Sequence, residues 1–235
     1  GPTERAYLPD LASMLLDAGV GVLVYDKRGI AQSGGRYPGE SPTAGTIDAL
    51  ARDAEAAIRF LVRQPGVDPK QVGLVGHSQA GWIMPLAASR ETRVRYLIAF
   101  AGPTVTADEV DAFQNLTGSG ERHEHSLADA TAQTIAHGPS GVDPIPWIRS
   151  LRIPSLWLFG ELDQHVPTEL STRALRALVD EGDDRLSFRV LPAANHALVE
   201  TETGLTSEMI RSSRFARALP GELRRWLREH GVTGR

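Results

Sequence analysis

The sequence predicts an α/β fold in which a mainly parallel sheet is covered by helices on both faces. Short apolar runs of buried-strand type alternate along the chain with stretches whose apolar residues repeat at helical spacing. The runs have the length and the continuous apolar character of parallel strands that are buried on both sides. The chain has 235 residues, 41% of them hydrophobic, which is enough to fill a sizeable core.

The elements follow one another in a regular order. In chain order, the patterns predict a helix over 8–18, a strand over 20–25, a helix over 47–61, a strand over 71–75, a helix from 80 onward, a strand over 94–101, helical patches over 108–116 and 127–136, a strand over 155–159, a helix over 167–182, a strand over 186–191 and a helical region over 209–228.

Glycines and prolines mark the ends of several of these elements. Gly19 and Gly182 end helical patterns, because glycine readily takes the left-handed conformation that follows a helix. Pro167 stands at a first helical position, where its missing N–H costs nothing. Pro220 falls inside the last helical region, and we expect it to break the helix there.

The segment 103–150 departs from the alternating rhythm. It is polar and carries too few large apolar residues for a core of its own. We interpret it as a cap inserted over the carboxyl edge of the sheet, with a solvated connecting loop as the alternative. The predicted domains are therefore a core made of 1–102 and 151–235 and a cap or lid made of 103–150.

Composition excludes several classes of function. The net charge is −4 and like charges do not cluster in runs, so the chain lacks the basic patch of a nucleic-acid-binding protein. No stretch approaches the roughly 20 apolar residues that span a bilayer.

Because cysteine is absent, disulfides, thiol chemistry and cysteine-bound metals are excluded. The cluster 121–125 holds potential metal ligands, but surface exposure is the favoured interpretation; we expect neither a metal nor a cofactor.

Ser78 is the candidate nucleophile. It lies between a predicted strand and a predicted helix, where a sharp turn exposes a serine oxygen. A serine hydroxyl needs a base within hydrogen-bond reach, and that base needs an acid to orient it. The loops after two later strands contain Asp163 and His196. Glu161 competes as the acid, and His77 and His165 compete as the base.

These motifs resemble the α/β-hydrolase superfamily, in which nucleophile, acid and histidine follow in the order Ser78, Asp163, His196. The Asp26-Lys27-Arg28-Gly29 element and the Gly160-to-Pro167 loop are also similar to this family, and the resemblance covers the chain from Tyr7 onward. The Gly-His-Ser-Gln turn most resembles serine hydrolases related to peptidase families S9 and S33 and to carboxylesterases. One departure is Ala80, where the usual motif has glycine; the glycine is displaced to Gly81, and we expect slight strain.

The resemblance implies an oxyanion hole and a further part of the protein. The backbone N–H of Gln79 is the expected first donor, and the second is expected in or just before Gly1. In the family's sheet order, a strand lies between the strands predicted over 20–25 and 71–75, and no part of these residues fits it. We therefore expect an N-terminal segment of the same protein to supply that strand.

Three functions remain open at this stage. The first is hydrolysis of a carboxylic ester by a serine hydrolase, with a small-molecule ester as substrate. The second is a serine aminopeptidase or oligopeptidase acting on short peptides, for which acidic residues of the cap would bind a free amino terminus. The third is a binding protein that keeps the fold without turnover. Arg28 is interpreted as a partner in a structural ion pair, with an anionic substrate as the alternative.

Overall fold

The computed structural model describes residues 2–121, 125–211 and 214–233. Within them, four parallel strands form one sheet with the spatial order β1-β2-β3-β4. The strands are β1 (Leu74–His77), β2 (Leu97–Phe100), β3 (Ser155–Gly160) and β4 (Leu186–Leu191). Because all four run in the same direction, the loops that follow them meet at one edge of the sheet.

Helices connect the strands, and some of them begin with a side-chain cap. They are α1 (Pro2–Asp17), α2 (Ala44–Leu61), α3 (Ala80–Arg90), α4 (Ala107–Thr117), α5 (Leu127–His137), α6 (Ile145–Ser150), α7 (Thr168–Asp180), α8 (Thr206–Arg211) and α9 (Leu219–Glu229). The Thr43 hydroxyl accepts the N–H of Thr46 at the start of α2. At the start of α4, Thr106 and Glu109 form a reciprocal capping box.

Helices cover both faces of the sheet, as the sequence predicts. Alternate residues of β2 point to opposite faces, so Ile98 and Phe100 pack with α1 and α9 while Leu97 packs with α3 and α7. These strand residues are fully buried. The alternation explains why β2 is apolar at every position, and it confirms the predicted fold class.

The prediction of a strand over 20–25 is wrong. This stretch pairs with no strand among the described residues, and Val22, Leu23, Val24 and Tyr25 are all more than a third exposed. An apolar groove of about 530 Å³ lies between it and the uncovered edge of β1. An apolar run is a strand only where a neighbour lies about 4.8 Å away to share backbone hydrogen bonds, and no described strand is paired with this run. The expected N-terminal strand stays a prediction.

Smaller differences concern where elements begin. β1 starts at Leu74 and runs on to His77, because its register is set by pairing with β2 and not by its apolar residues alone. β2 is shorter than predicted for the same reason. Pro220 does not break a helix: it lies in the first turn of α9 and helps to begin it.

The segment 103–150 contains α4, α5 and α6, of which α6 was not predicted. Its residues Val105 and Val110 share a buried cluster with α2 and α3, so it packs on the core and does not form a second one. The α4 side chains of Gln114 and Thr117 donate hydrogen bonds to the backbone carbonyls of His165 and Gln164, at 3.2 and 2.6 Å. The segment therefore contacts the loop after β3; its role as a cap stays a prediction.

In the part of the chain that the structure describes, no helix combines the length and apolar character required to cross a bilayer.

Candidate active site

Ser78 lies in a sharp turn between β1 and α3. Its φ is +55°, in the left-handed region, which costs a non-glycine residue on the order of 1–2 kcal/mol. The turn is held because the N–H of Ser78 donates to the carbonyl of Phe100 at 2.9 Å, which continues the pairing of β1 with β2. The nucleophile is therefore strained and fixed by the sheet itself.

The displaced glycine of this turn has a structural reason. A Cβ atom on Gly81 would lie 2.6 Å from the backbone nitrogen of Pro103, so only glycine allows α3 to approach that loop. The methyl group of Ala80 packs over Gly76, where a side chain would collide with it. Ala80 fits because Gly76 has no side chain. The turn therefore accommodates alanine at position 80, with glycines at positions 76 and 81.

Ser78, His196 and Asp163 form a continuous chain of hydrogen bonds. The Nε2 atom of His196 lies 3.0 Å from Oγ of Ser78, and its Nδ1 atom lies 2.9 Å from Oδ2 of Asp163. An ionised carboxylate only accepts, so Nδ1 carries the proton and Nε2 is left to accept from the serine hydroxyl. This is the tautomer that a general base requires.

The carboxylate of Asp163 is held by its own loop. Its Oδ1 atom accepts the backbone N–H groups of His165 and Val166, at 2.7 and 2.9 Å, and the side chain is buried. Burial by itself would raise the pKa of Asp163. Attraction to His196, the hydrogen bond with it and the Val166 N–H outweigh burial and hold this pKa below its ordinary value. The Asp163 carboxylate next to the imidazole is therefore ionised at neutral pH.

The loops after β3 and β4 fit together through Gly160. A Cβ atom there would lie 2.5 Å from the carbonyl oxygen of Ala194 and still closer to that of Asn195. The Asn195 side chain accepts the N–H groups of Ala197 and Val199, which shapes the turn that carries His196. Because Gly160 has no side chain, the loops that carry Asp163 and His196 can approach each other.

Glu161, the competing acid, points elsewhere. Its carboxylate accepts the backbone N–H of Ala193 at 2.9 Å. Glu161 therefore joins the same pair of loops, and its carboxylate is bound to Ala193 and not to His196.

The two competing histidines flank His196. The His165 ring stacks on it, with ring centroids 4.6 Å apart and planes inclined by 27°. The His77 ring lies at the same centroid distance, tilted by 53°, and its Nε2–H donates to the carbonyl of His196 at 2.8 Å. Burial, reinforced by repulsion from His196, lowers the pKa of His77 to about 3 and that of His165 to about 4. Both rings are neutral at physiological pH, and sequence reasoning did not assign them this place.

The backbone N–H of Gln79, the expected first oxyanion donor, lies directly after Ser78 in the turn. Gln79 is the residue before α3, and no acceptor among the described residues receives its backbone N–H. Its side chain joins Lys27 to the backbone of Glu40, at 3.1 Å in each case, which fastens the loop after residue 25 to the turn. Gly1, named for the second donor, lies outside the described residues.

Arg28 is a partner in a structural ion pair. It binds Asp53 of α2 through two hydrogen bonds, at 2.8 and 2.6 Å. Of the suspected metal ligands in 121–125, residues 122–124 lie outside the described part of the chain. In the remainder, no group of three His, Cys, Asp or Glu side chains is arranged to hold a metal ion.

A family model of the prolyl oligopeptidase family matches residues 10–219. The chain belongs to the prolyl oligopeptidase family. It has the α/β-hydrolase fold: an esterase from Pyrococcus furiosus superimposes with a TM-score of 0.64 at 17% identity, covering 95% of this chain and 74% of that one. The chain is thus a member of the α/β-hydrolase superfamily of serine hydrolases.

Two curated relatives differ in how much of each chain they share. A thiohydrolase of Aspergillus aculeatus is 34% identical over 96 residues, which is 41% of this chain and 29% of that protein. An uncharacterised protein of Mycobacterium tuberculosis is 28% identical over 232 residues, which is 98% of this chain and 68% of that protein. The chain thus spans less than a third of the thiohydrolase's length.

Proposed function

We propose that this protein cleaves carboxylic esters through an acyl-enzyme formed on Ser78. The observation that supports this most directly is the chain of contacts from Ser78 through His196 to Asp163. Each member is in hydrogen-bond contact with the next, and burial protects the acid–base pair from water. A non-catalytic protein with this fold has no need of such an arrangement.

In the proposed mechanism, Nε2 of His196 removes the Ser78 proton as Oγ attacks the acyl carbon. Asp163 stabilises the imidazolium that forms, and the N–H of Gln79 donates to the developing oxyanion. His196 then returns the proton to the leaving alkoxide, which departs as an alcohol. Water attacks the acyl-enzyme by the same route and releases the carboxylic acid. We expect the second oxyanion donor in or just before Gly1.

A second candidate, cleavage of short peptides, is favoured by the family match. Such an enzyme would need acidic groups to bind a free amino terminus. Asp108 accepts the hydroxyl of Ser140, and Glu109 accepts the N–H and hydroxyl of Thr106. These two cap acids are thus engaged in shaping the cap, and they offer a peptide amine less than the sequence suggests. For this reason the ester is placed first.

The test begins with a fluorophosphonate probe, which labels an activated serine whatever the substrate. We expect labelling of Ser78 in the purified protein and none in Ser78→Ala. A panel of p-nitrophenyl esters, acyl thioesters and aminoacyl anilides then separates the substrate classes. Ser78→Ala should lower ester turnover by at least about 10³-fold, because the triad acts as a unit.

The matched control is Ser89→Ala. Ser89 lies on α3 outside the site, where its hydroxyl donates to the carbonyl of Leu86. It should label and turn over like the unaltered protein. Faster anilide than ester cleavage would replace the ester proposal with the peptidase, and absent labelling would leave a binding protein.

A further inference from the structure

We propose that His165 is a positioning residue that holds the imidazole of His196 in its catalytic orientation. The inference rests on the proposed function, since it assigns a role within the same site. The His165 side chain takes no part in bond making or breaking, and its role is to place its ring against His196.

The ring of His165 stacks on the ring of His196. His196 is tied at both nitrogens by single hydrogen bonds, which are directional but leave the ring free to tilt about the line that joins them. The His165 ring, stacked 4.6 Å away at 27°, lies against its face and blocks that tilt. The tilted His77 ring at 4.6 Å supplies a second contact.

The backbone of His165 is itself fixed, so the stack has a rigid base. Its N–H donates to Oδ1 of Asp163, the acid that orients His196 through the other oxygen. Its carbonyl accepts the side-chain amide of Gln114, on α4. One residue thus connects the 103–150 segment, the catalytic acid and the catalytic base.

The charge state of the ring matters because His196 becomes a cation during each acyl transfer. The groups that face His196 are the Asp163 carboxylate, the Ser78 hydroxyl and the His77 and His165 rings. A cationic side chain at 165 would repel the imidazolium. A neutral aromatic ring at this position holds the imidazolium without repulsion and presents a π face to it.

The experiment compares His165→Ala, which removes the ring, with His165→Phe, which keeps a neutral ring. His165→Ala should lower kcat by about 3- to 10-fold with KM within twofold, since an aromatic contact of this kind has that value. His165→Phe should recover at least half of the lost kcat. In His165→Ala, water entering the emptied space stabilises protonated His196, so the acid limb of the kcat/KM profile should move to higher pH.

His230→Ala is the matched control. His230 stacks on Trp226 with centroids 4.2 Å apart and planes at 24°, at the end of α9, so this variant loses an equivalent stack away from the site. Its kcat and pH profile should be unchanged. Circular dichroism at the assay temperature establishes that each variant is folded.

A readout without substrate separates this inference from the proposed function. The hydrogen-bonded Nδ1 proton of His196 gives a downfield NMR resonance, which should broaden in His165→Ala and stay sharp in His165→Phe and His230→Ala. Unchanged kcat, pH profile and resonance in His165→Ala would overturn the positioning role. Absence of hydrolysis in the unaltered protein would instead count against the proposed function, and the resonance would still test the stack.

Discussion

At the scale of single residues, the candidate site holds several non-glycine residues in a strained backbone conformation. Ser78, Ala101, Ala193 and Leu198 all have positive φ, and all lie in turns that follow strands on the side of the sheet where the triad meets. Left-handed backbone at residues other than glycine persists only where the surroundings enforce it. At Ser78 the enforcing contact is the hydrogen bond from its N–H to the carbonyl of Phe100.

Replacing Ser78 by glycine should therefore separate stability from activity. Ser78→Gly and Ser78→Ala both lose the hydroxyl and its bond to His196, but only glycine relieves the strain at a φ of +55°. We expect Ser78→Gly to be more stable than Ser78→Ala by up to about 1 kcal/mol, because the flexibility of unfolded glycine offsets part of the relief. Urea unfolding of the two variants measures the difference, and both should be inactive. A less stable Ser78→Gly would contradict the strain argument.

The proximity of Ser78, Asp163 and His196 could be predicted from the sequence because each residue follows a recognisable strand. Ser78, Asp163 and His196 needed only the rule that the loops after parallel strands share an edge. The roles of His165 and Gly160 could not be predicted. They depend on the distance between two loops and on the tilt between two rings, and no one-dimensional spacing encodes either.

At the scale of elements, the site depends on how closely the β3 and β4 loops approach. Gly160→Ala tests this, because the added methyl group would overlap the carbonyl oxygens of Ala194 and Asn195. We expect the loops to separate, at a cost of about 1–3 kcal/mol in unfolding free energy. Turnover should fall on the order of 10²-fold, since a displacement of about 1 Å has that effect on a catalytic contact.

The control for this variant is Gly221→Ala in α9, where a methyl group would meet nothing within 4 Å. Alanine favours helix over glycine, so this variant should be equally or slightly more stable and fully active. Ester hydrolysis and urea unfolding of the two variants side by side decide the matter. Equal activity in Gly160→Ala would show that the loops tolerate separation.

Four helices were predicted close to their observed bounds, and the reason is physical. The patterns of α2, α4, α5 and α7 are local, since a helix bonds within itself and its caps lie a few residues away. A strand depends on a partner that the sequence does not point to. The run 20–25 looks like a strand and is exposed, while β1 extends beyond its apolar residues because β2 lies beside it.

At the scale of the whole molecule, the two histidine rings that flank His196 make stability depend on pH. The folded-state pKa of His77 is about 3 and that of His165 about 4, against an ordinary value of 6.5. Below pH 6.5 the unfolded chain therefore binds more protons at these two residues than the folded protein does. Their contribution to stability is present above that pH and is lost as the pH falls. Asp163, whose pKa is lowered from 3.8, adds a loss only below about pH 4.

Between pH 7 and pH 5, each of these histidines should therefore reduce the unfolding free energy by up to about 2 kcal/mol. Urea unfolding at pH 7, 6 and 5 measures this, and Asp163 does not contribute in that window. His165→Phe cannot titrate at position 165, so it should lose about half as much over the same interval. A stability that is flat from pH 7 to pH 5 would mean that the two rings are hydrated, and their packing against His196 would have to be reconsidered.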